Sequence, residues 1–195
     1  MAKLQKSIDK RNALIKATIE LVNNNGFHAT PMSQIAKMAN VSPATIYLYF
    51  ENKQDLVNKT YIEVKATYTK FAFATYNTEM SVETGFEIIW KRIADFKLTN
   101  CENALFLAQC DNTPMIDESS RQEGIKHLEP LLELWERGKK EGVIKPLSDY
   151  LLYAYTINPL SFLMMSQKSG AFILDQTHLE EAYQAAWNSI KVSKK

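Results

Sequence analysis

Residues 30–50, TPMSQIAKMANVSPATIYLYF, leave the chain few options: they read as two short helices joined by a tight turn. Thr30 is placed to cap the first helix, and Pro31 suits its first turn, where a missing N–H costs nothing. Ile35, Ala36 and Ala39 recur at helical spacing, so one face is apolar and its alanines admit a close neighbour. Asn40 can end that helix in the left-handed conformation, as Gly would, and Val41 fills the space under the turn. Ser42 caps the second helix, with Pro43 in its first turn. Ile46 and Phe50, four residues apart, share the buried face, while Thr45, Tyr47 and Tyr49 point elsewhere.

The remaining surface of the second helix is therefore polar but uncharged, which suits phosphate oxygens and base edges. A helix-turn-helix presents itself to a DNA major groove in this way. The competing reading is a helical hairpin whose Ser and Thr only cap and whose tyrosines only pack. The flanks separate the two. Upstream, Ile15-x-x-Thr18-x-x-Leu21-x-x-x-x-Gly26-Phe27-x-x-Thr30 leads into Ile35-Ala36-x-x-Ala39-x-Val41-Ser42-x-x-Thr45-Ile46-Tyr47-x-Tyr49-Phe50-x-x-Lys53-x-x-Leu56. This pattern resembles the DNA-binding domain of the tetracycline-repressor-like (TetR) family of one-component regulators, densely from about Ile8 to Tyr61. Asn40 stands where that family usually has a turn Gly, and Thr18 where Ala is common. Asn tolerates the left-handed turn, so the motif survives.

The resemblance implies a DNA-binding helix-turn-helix domain over residues 1–52, followed by a helical effector-binding and dimerisation domain over 53–195, with 53–76 as the linking helix. It places Ser33, Ser42, Pro43, Ala44, Thr45 and Tyr47 near base edges, and Thr30, Tyr47, Tyr49 and Lys53 on phosphates. The implied function is a sequence-specific transcriptional regulator, a repressor released from a palindromic operator by a small effector. A DNA-binding regulator without an inducer, or an all-helical enzyme with its site in the C-terminal domain, are the alternatives.

Charge agrees. The first sixty residues carry eight basic and four acidic side chains, a net +4, which leaves −3 for the rest of a chain whose total is +1. A basic first third on a mildly acidic remainder suggests that one end meets a polyanion. The lysines at the start, Lys3, Lys6 and Lys10, read either as a DNA-contacting arm or as solvated charges. With Arg11 and few apolar residues, that start is not expected to be a signal peptide, and no apolar run approaches the roughly 20 residues that span a bilayer. A cytoplasmic protein with reduced Cys101 and Cys110 is expected. On one helix those two cysteines would lie roughly 13 Å and half a revolution apart, too far for a disulfide.

Beyond the motif the chain reads as helix after helix, and the fold class is all-α. Asn52 with Asp55 resembles a cap opening a long helix; Thr78 or Ser81 starts the next. A short helix should hold Leu105, Phe106 and Ala108 and end before Asp111-Asn112-Thr113-Pro114. A longer helix from Ser119 or Ser120 should run past Trp135 and bend at Pro130, and another, from about Ser148 to Lys168, should kink at Pro159. The last runs from Asp175 to Val192. Its small residues Ala182, Ala185, Ala186 and Ser189, with Leu151, Ala154 and Leu163 on the preceding helix, are expected to form a two-fold homodimer interface.

With 46% hydrophobic residues a sizeable core is available. The family resemblance implies an effector pocket among the aromatics of the second domain, with Tyr68, Phe71, Phe86, Trp90, Phe106, Tyr153 and Phe162 as candidates; their excess favours an apolar or aromatic compound. Each taken singly is more readily a core residue, because an aromatic at helical spacing usually is one. No phosphate-cradling loop, nucleophile elbow or metal-ligand spacing is present, and His28, His127 and His178 are scattered. No catalytic residue, metal or cofactor is expected.

Overall fold

The computed structural model describes residues 2–193, with side chains from residue 4 and excepting that of Asn112. Eleven helices follow in order: α1 (Ala2–Asn25), α2 (Met32–Met38), α3 (Pro43–Ile46), α4 (Lys53–Phe73), α5 (Val82–Thr99), α6 (Cys101–Asn112), α7 (Glu118–Lys126), α8 (Glu129–Lys140), α9 (Asp149–Thr156), α10 (Pro159–Lys168) and α11 (Gln176–Ile190). Among the described residues there is no strand, only an isolated bridge between Ile144 and Lys191. The start of the chain is helical from Ala2 and forms no extended arm; the side chain of Lys3 lies outside the described residues.

The helices form two compact units, and neither is a single stretch of chain: residues 1–65 with 105–124, and residues 66–104 with 125–195. The reason lies in α4, which begins at Lys53 and runs unbroken through residue 65 to Phe73, and in what its first half packs against. In the first unit the Tyr61 ring lies so close to Gly124 that a Cβ there would stand 2.5 Å from its hydroxyl. Burial of Tyr61, with Asp111 and Cys110 nearby, pushes its phenol pKa well above the usual value. Asn58 donates to Asp117, and Gln54 donates to the Met115 carbonyl at 2.9 Å. Asp117 in turn accepts the Ser120 N–H at 2.8 Å and caps α7. Residues 105–124 are thus tied to α4 by hydrogen bonds as well as by apolar contact.

The first unit's core also includes Leu14, Val22, Ile35, Ala36, Ile46, Phe50, Leu56 and Phe106, all buried. Thr18 occupies its buried position because its hydroxyl donates to the Leu14 carbonyl at 2.8 Å, so no polar group is left unpaired.

In the second unit α5 carries the core. Phe86 stacks at 5.5 Å on Trp187 and at 6.3 Å on Tyr183, and Trp90 meets Tyr183 at 5.7 Å. The Trp90 indole N–H donates to the Thr156 carbonyl at 2.9 Å, satisfying the polar end of a buried ring. At the other end of α5, Phe96 packs on Tyr68 and Phe71, and the Arg92 guanidinium lies 3.8 Å from the Phe71 ring centre.

Three boundaries differ from expectation. Pro130 lies in the first turn of α8 and does not bend a longer helix, because a first-turn residue needs no N–H partner. Pro159 likewise opens α10, so the expected kink is a two-residue interruption at Ile157 and Asn158. The short helix around Phe106 begins earlier, at Cys101, and includes Asp111 and Asn112. Ser81 caps α5 and Asp175 caps α11, their side chains accepting the N–H groups of Thr84 and His178.

Candidate nucleic-acid interface

Two left-handed residues shape the segment. Gly26, at φ 77°, closes α1 through its N–H to Val22, and Asn40, at φ 53°, closes α2 as the sequence requires. Val41 donates back to Ala36 across that turn at 3.0 Å. Ser42 then caps α3: its Oγ accepts the Thr45 N–H at 3.2 Å and lies 2.7 Å from the Thr45 hydroxyl. Pro43 sits in the first turn. Past Ile46 the turn continues to Phe50 through N–H groups of Leu48, Tyr49 and Phe50.

Ile46 and Phe50 point into the core. Ser33, Ser42, Pro43 and Ala44 are exposed, Thr45 half-buried, and Tyr47 58% exposed. Tyr49 is half-buried with its hydroxyl 3.1 Å from that of Ser7. Lys53 donates to the Phe27 carbonyl at 2.8 Å and lies 4.4 Å from the Phe27 ring centre, which fixes the start of α4 to the turn after α1. Its ammonium is part-exposed and has three protons. Lys37, exposed on α2, adds a second cation.

Thr30 is a correction. The residue is buried and its hydroxyl donates to the carbonyls of Gly26 at 2.8 Å and Leu21 at 3.2 Å. Pro31 is the N-cap of α2, and no side chain caps that helix. Thr30 closes the loop from behind, its hydroxyl engaged by those two carbonyls. One outward residue escaped the sequence reading: Leu48 is 80% exposed. Its position four residues after Ala44 was the available signal, overlooked because Leu ordinarily belongs to the core.

The other expected sites are distributed as follows. Leu151 and Ala185 are exposed, and Ala154, Leu163, Ala182 and Ser189 half-buried. Ala186 is buried within its own unit, because it shares the inward face of α11 with Tyr183, Trp187 and Ile190. Of the aromatic candidates, Tyr68, Phe86 and Trp90 are buried in the second unit and Phe71 and Tyr153 half-buried. Phe106 belongs to the first unit, and Phe162 is 72% exposed on α10. Trp90 lines a cavity of about 250 Å³ with Lys91, Ala94, Leu98 and Leu179, between α5 and α11. Among the described residues no cluster of metal-ligating side chains occurs, and no helix is long and apolar enough to cross a membrane.

Comparison with known proteins agrees with this geometry. The family profile described as "Bacterial regulatory proteins, tetR family" matches residues 14–60, which contain α2, α3 and the turn between them. That described as "Tetracyclin repressor-like, C-terminal domain" matches residues 82–191, more than half of the chain. The chain belongs to the TetR family. An HTH-type transcriptional regulator of Haemophilus influenzae is 24% identical over 96% of this chain and 98% of its own length. A TetR family transcription regulator from Marinobacter aquaeolei is 27% identical, with a TM-score of 0.89 covering 98% of this chain and 99% of that one. Over 44 residues, 23% of either chain, the fatty acid metabolism regulator protein of Bacillus subtilis is 48% identical. This TetR-family chain is accordingly a DNA-binding transcriptional regulator of the helix-turn-helix type, from a family whose members bind DNA and dimerise. Its named relatives are transcriptional regulators.

Proposed function

We propose that the protein is a repressor that holds a palindromic operator as a homodimer and leaves it when a small, largely apolar effector binds. The observation that carries the DNA reading is the outward face of Ser42–Tyr49, uncharged, held by a capped turn and set between Lys37 and Lys53. Ser33, Ser42, Pro43, Ala44, Thr45 and Tyr47 are placed to meet base edges; Tyr47, Tyr49 and Lys53 are placed for phosphates. One such element reads only a few base pairs, so affinity and specificity call for two, related by a dyad. Leu151, Ala154, Leu163, Ala182, Ala185 and Ser189 are the proposed self-contact, and two-fold symmetry then requires a palindrome.

For the effector, the aromatic interior of the second unit, with Tyr68, Phe71, Phe86, Trp90 and Tyr153, is the proposed location. The uninterrupted α4 supports the coupling: it starts at Lys53 and ends at Phe73, so a tilt at one end moves the other. The effector must prefer the arrangement that cannot span the operator, since equal affinity for both states releases nothing. A coupling of roughly 1–3 kcal/mol weakens DNA binding about 5–150-fold.

The first test is direct competition at low salt between the gene's own promoter region and random duplex; absence of any preference sinks the DNA reading. The second begins with a thermal-shift screen of metabolites and aromatic drugs. Saturating operator must weaken the binding of any hit by the factor by which that hit weakens operator binding. A hit indifferent to operator refutes the induction mechanism and leaves DNA binding intact.

A further inference from the structure

We infer that Leu48 is a specificity-determining residue, reading the C5-methyl group of a thymine in each half of the operator. The inference rests on the DNA-binding reading above and adds to it the residue and the base. Ile46 and Phe50 fix which side of the recognition segment is inside. Ala44, on α3, and Leu48, in the turn that follows it, both face away from that side and form an outward ridge. Ala44 is exposed and Leu48 is 80% exposed, so burial in the protomer does not account for a branched apolar side chain there. Thr45 and Tyr47 flank the ridge with hydroxyl groups, and no charge interrupts it. Whatever docks on the ridge therefore meets a methyl and an isobutyl group between hydrogen-bonding neighbours.

The major groove offers one apolar feature to such a ridge, the thymine methyl; guanine, adenine and cytosine present only donors and acceptors there. An isobutyl group set against the latter would strip water from polar atoms without replacing their hydrogen bonds. Against a thymine it removes water from two apolar surfaces at once. Leu48 thus both rewards thymine and penalises the other bases, which a hydroxyl at the same position would not do. The backbone supports the aim: the Leu48 N–H is bonded to the Thr45 carbonyl at 3.1 Å, so the side chain is carried by the capped turn and not by a free loop.

The experiment uses the full-length protein. Duplexes enriched from a random pool by the wild type are resynthesised with deoxyuridine in place of each thymine in turn, which removes one methyl group and leaves every hydrogen bond. At one or two positions per half-site the wild type should lose about fourfold in affinity, the equivalent of about 0.8 kcal/mol for a buried methyl-sized group, and about fifteenfold when both half-sites are changed. Leu48→Ala should bind the thymine duplex more weakly and be indifferent to deoxyuridine at those positions, whereas Leu48→Met should retain the sensitivity. Because Leu48 is 80% exposed, the variants should keep a melting temperature close to the wild type's. A wild type indifferent to every deoxyuridine, enriched half-sites without thymine opposite the ridge, or an equal penalty in Leu48→Ala would each overturn the assignment while leaving operator binding in place. A pool that yields no enriched sequence overturns the DNA-binding reading itself, and this inference with it.

Discussion

Ala185 and Ala186 are neighbours on α11 with opposite surroundings, and a single charge introduced at each separates assembly from folding. Ala185 faces water in the protomer, whereas Ala186 is buried against its own unit. Ala185→Glu therefore costs an isolated protomer little: the carboxylate stays solvated, and an exposed helical site accepts Glu readily. In the proposed dimer the same carboxylate loses its water, and symmetry repeats the loss on the other protomer. Glu181, one turn earlier on the same exposed side, adds a like charge and no partner. Burying an unpaired ion costs several kcal/mol even after relaxation. At roughly 3 kcal/mol for each of two carboxylates, the dimer dissociation constant should rise by about four orders of magnitude. Sedimentation equilibrium should then find monomer at micromolar concentration, with helical content and melting temperature close to wild type, and operator affinity should fall with the loss of the second reading head. Ala186→Glu should instead melt early or fail to accumulate. An Ala185→Glu protein that remains dimeric, or a wild type that is monomeric at micromolar concentration, would refute the interface and with it the argument for a palindrome.

Other expectations follow from the recognition segment and from α7. Lys53→Ala should weaken binding to all sequences about equally and lower the slope of log affinity against log salt by about 0.9 per protomer, hence about 1.8 per dimer, in an anisotropy titration; an unchanged slope would mean that the bond to Phe27 is the whole of its role. Ser42→Ala removes the cap on α3 and should cost about 1 kcal/mol, read as a lower urea midpoint together with weaker operator binding; an unchanged midpoint would show the cap to be idle. The Ser120 N–H first, then the Ser119, Ser120 and Asn58 side chains, hold the Asp117 carboxyl below its ordinary 3.8. A depressed folded value means that this stabilisation is complete above the unfolded pKa and is lost as pH falls through the folded one. Melting temperature followed from pH 6 downward should drop more steeply below about pH 4 in the wild type than in Asp117→Asn; parallel curves would exclude the carboxylate as the source.

What could be read from the sequence was local. Asn40 at its turn, Ser42, Ser81 and Asp175 at helix starts, and Ile46 with Phe50 on one face all follow from interactions within four residues. The prolines were legible as interruptions but not as starts, because the same missing N–H bends a helix from inside and is harmless in its first turn. Pro130 and Pro159 take the second course.

What escaped was decided by partners distant in the chain. Thr30 is a good cap by type, yet the carbonyl of Leu21, nine residues earlier, claims its hydroxyl together with that of Gly26. Phe162 and Phe106 are as aromatic as Phe86, but their helices turn them outward or into the other unit. Residues 105–124 join the first unit through Tyr61, Asn58 and Gln54, a docking that periodicity along one helix does not encode. Periodicity supplies the phase of a helix, while the choice of which face is covered belongs to its neighbours. On α11 the stripe Ala182, Ala185, Ala186, Ser189 was correct as spacing and divides in space, because Tyr183 and Trp187 take the core side and carry Ala186 with them. The same reasoning explains Leu48: Ile46 and Phe50 claim the inside of the recognition segment, and the residue left opposite them must face whatever that segment reads.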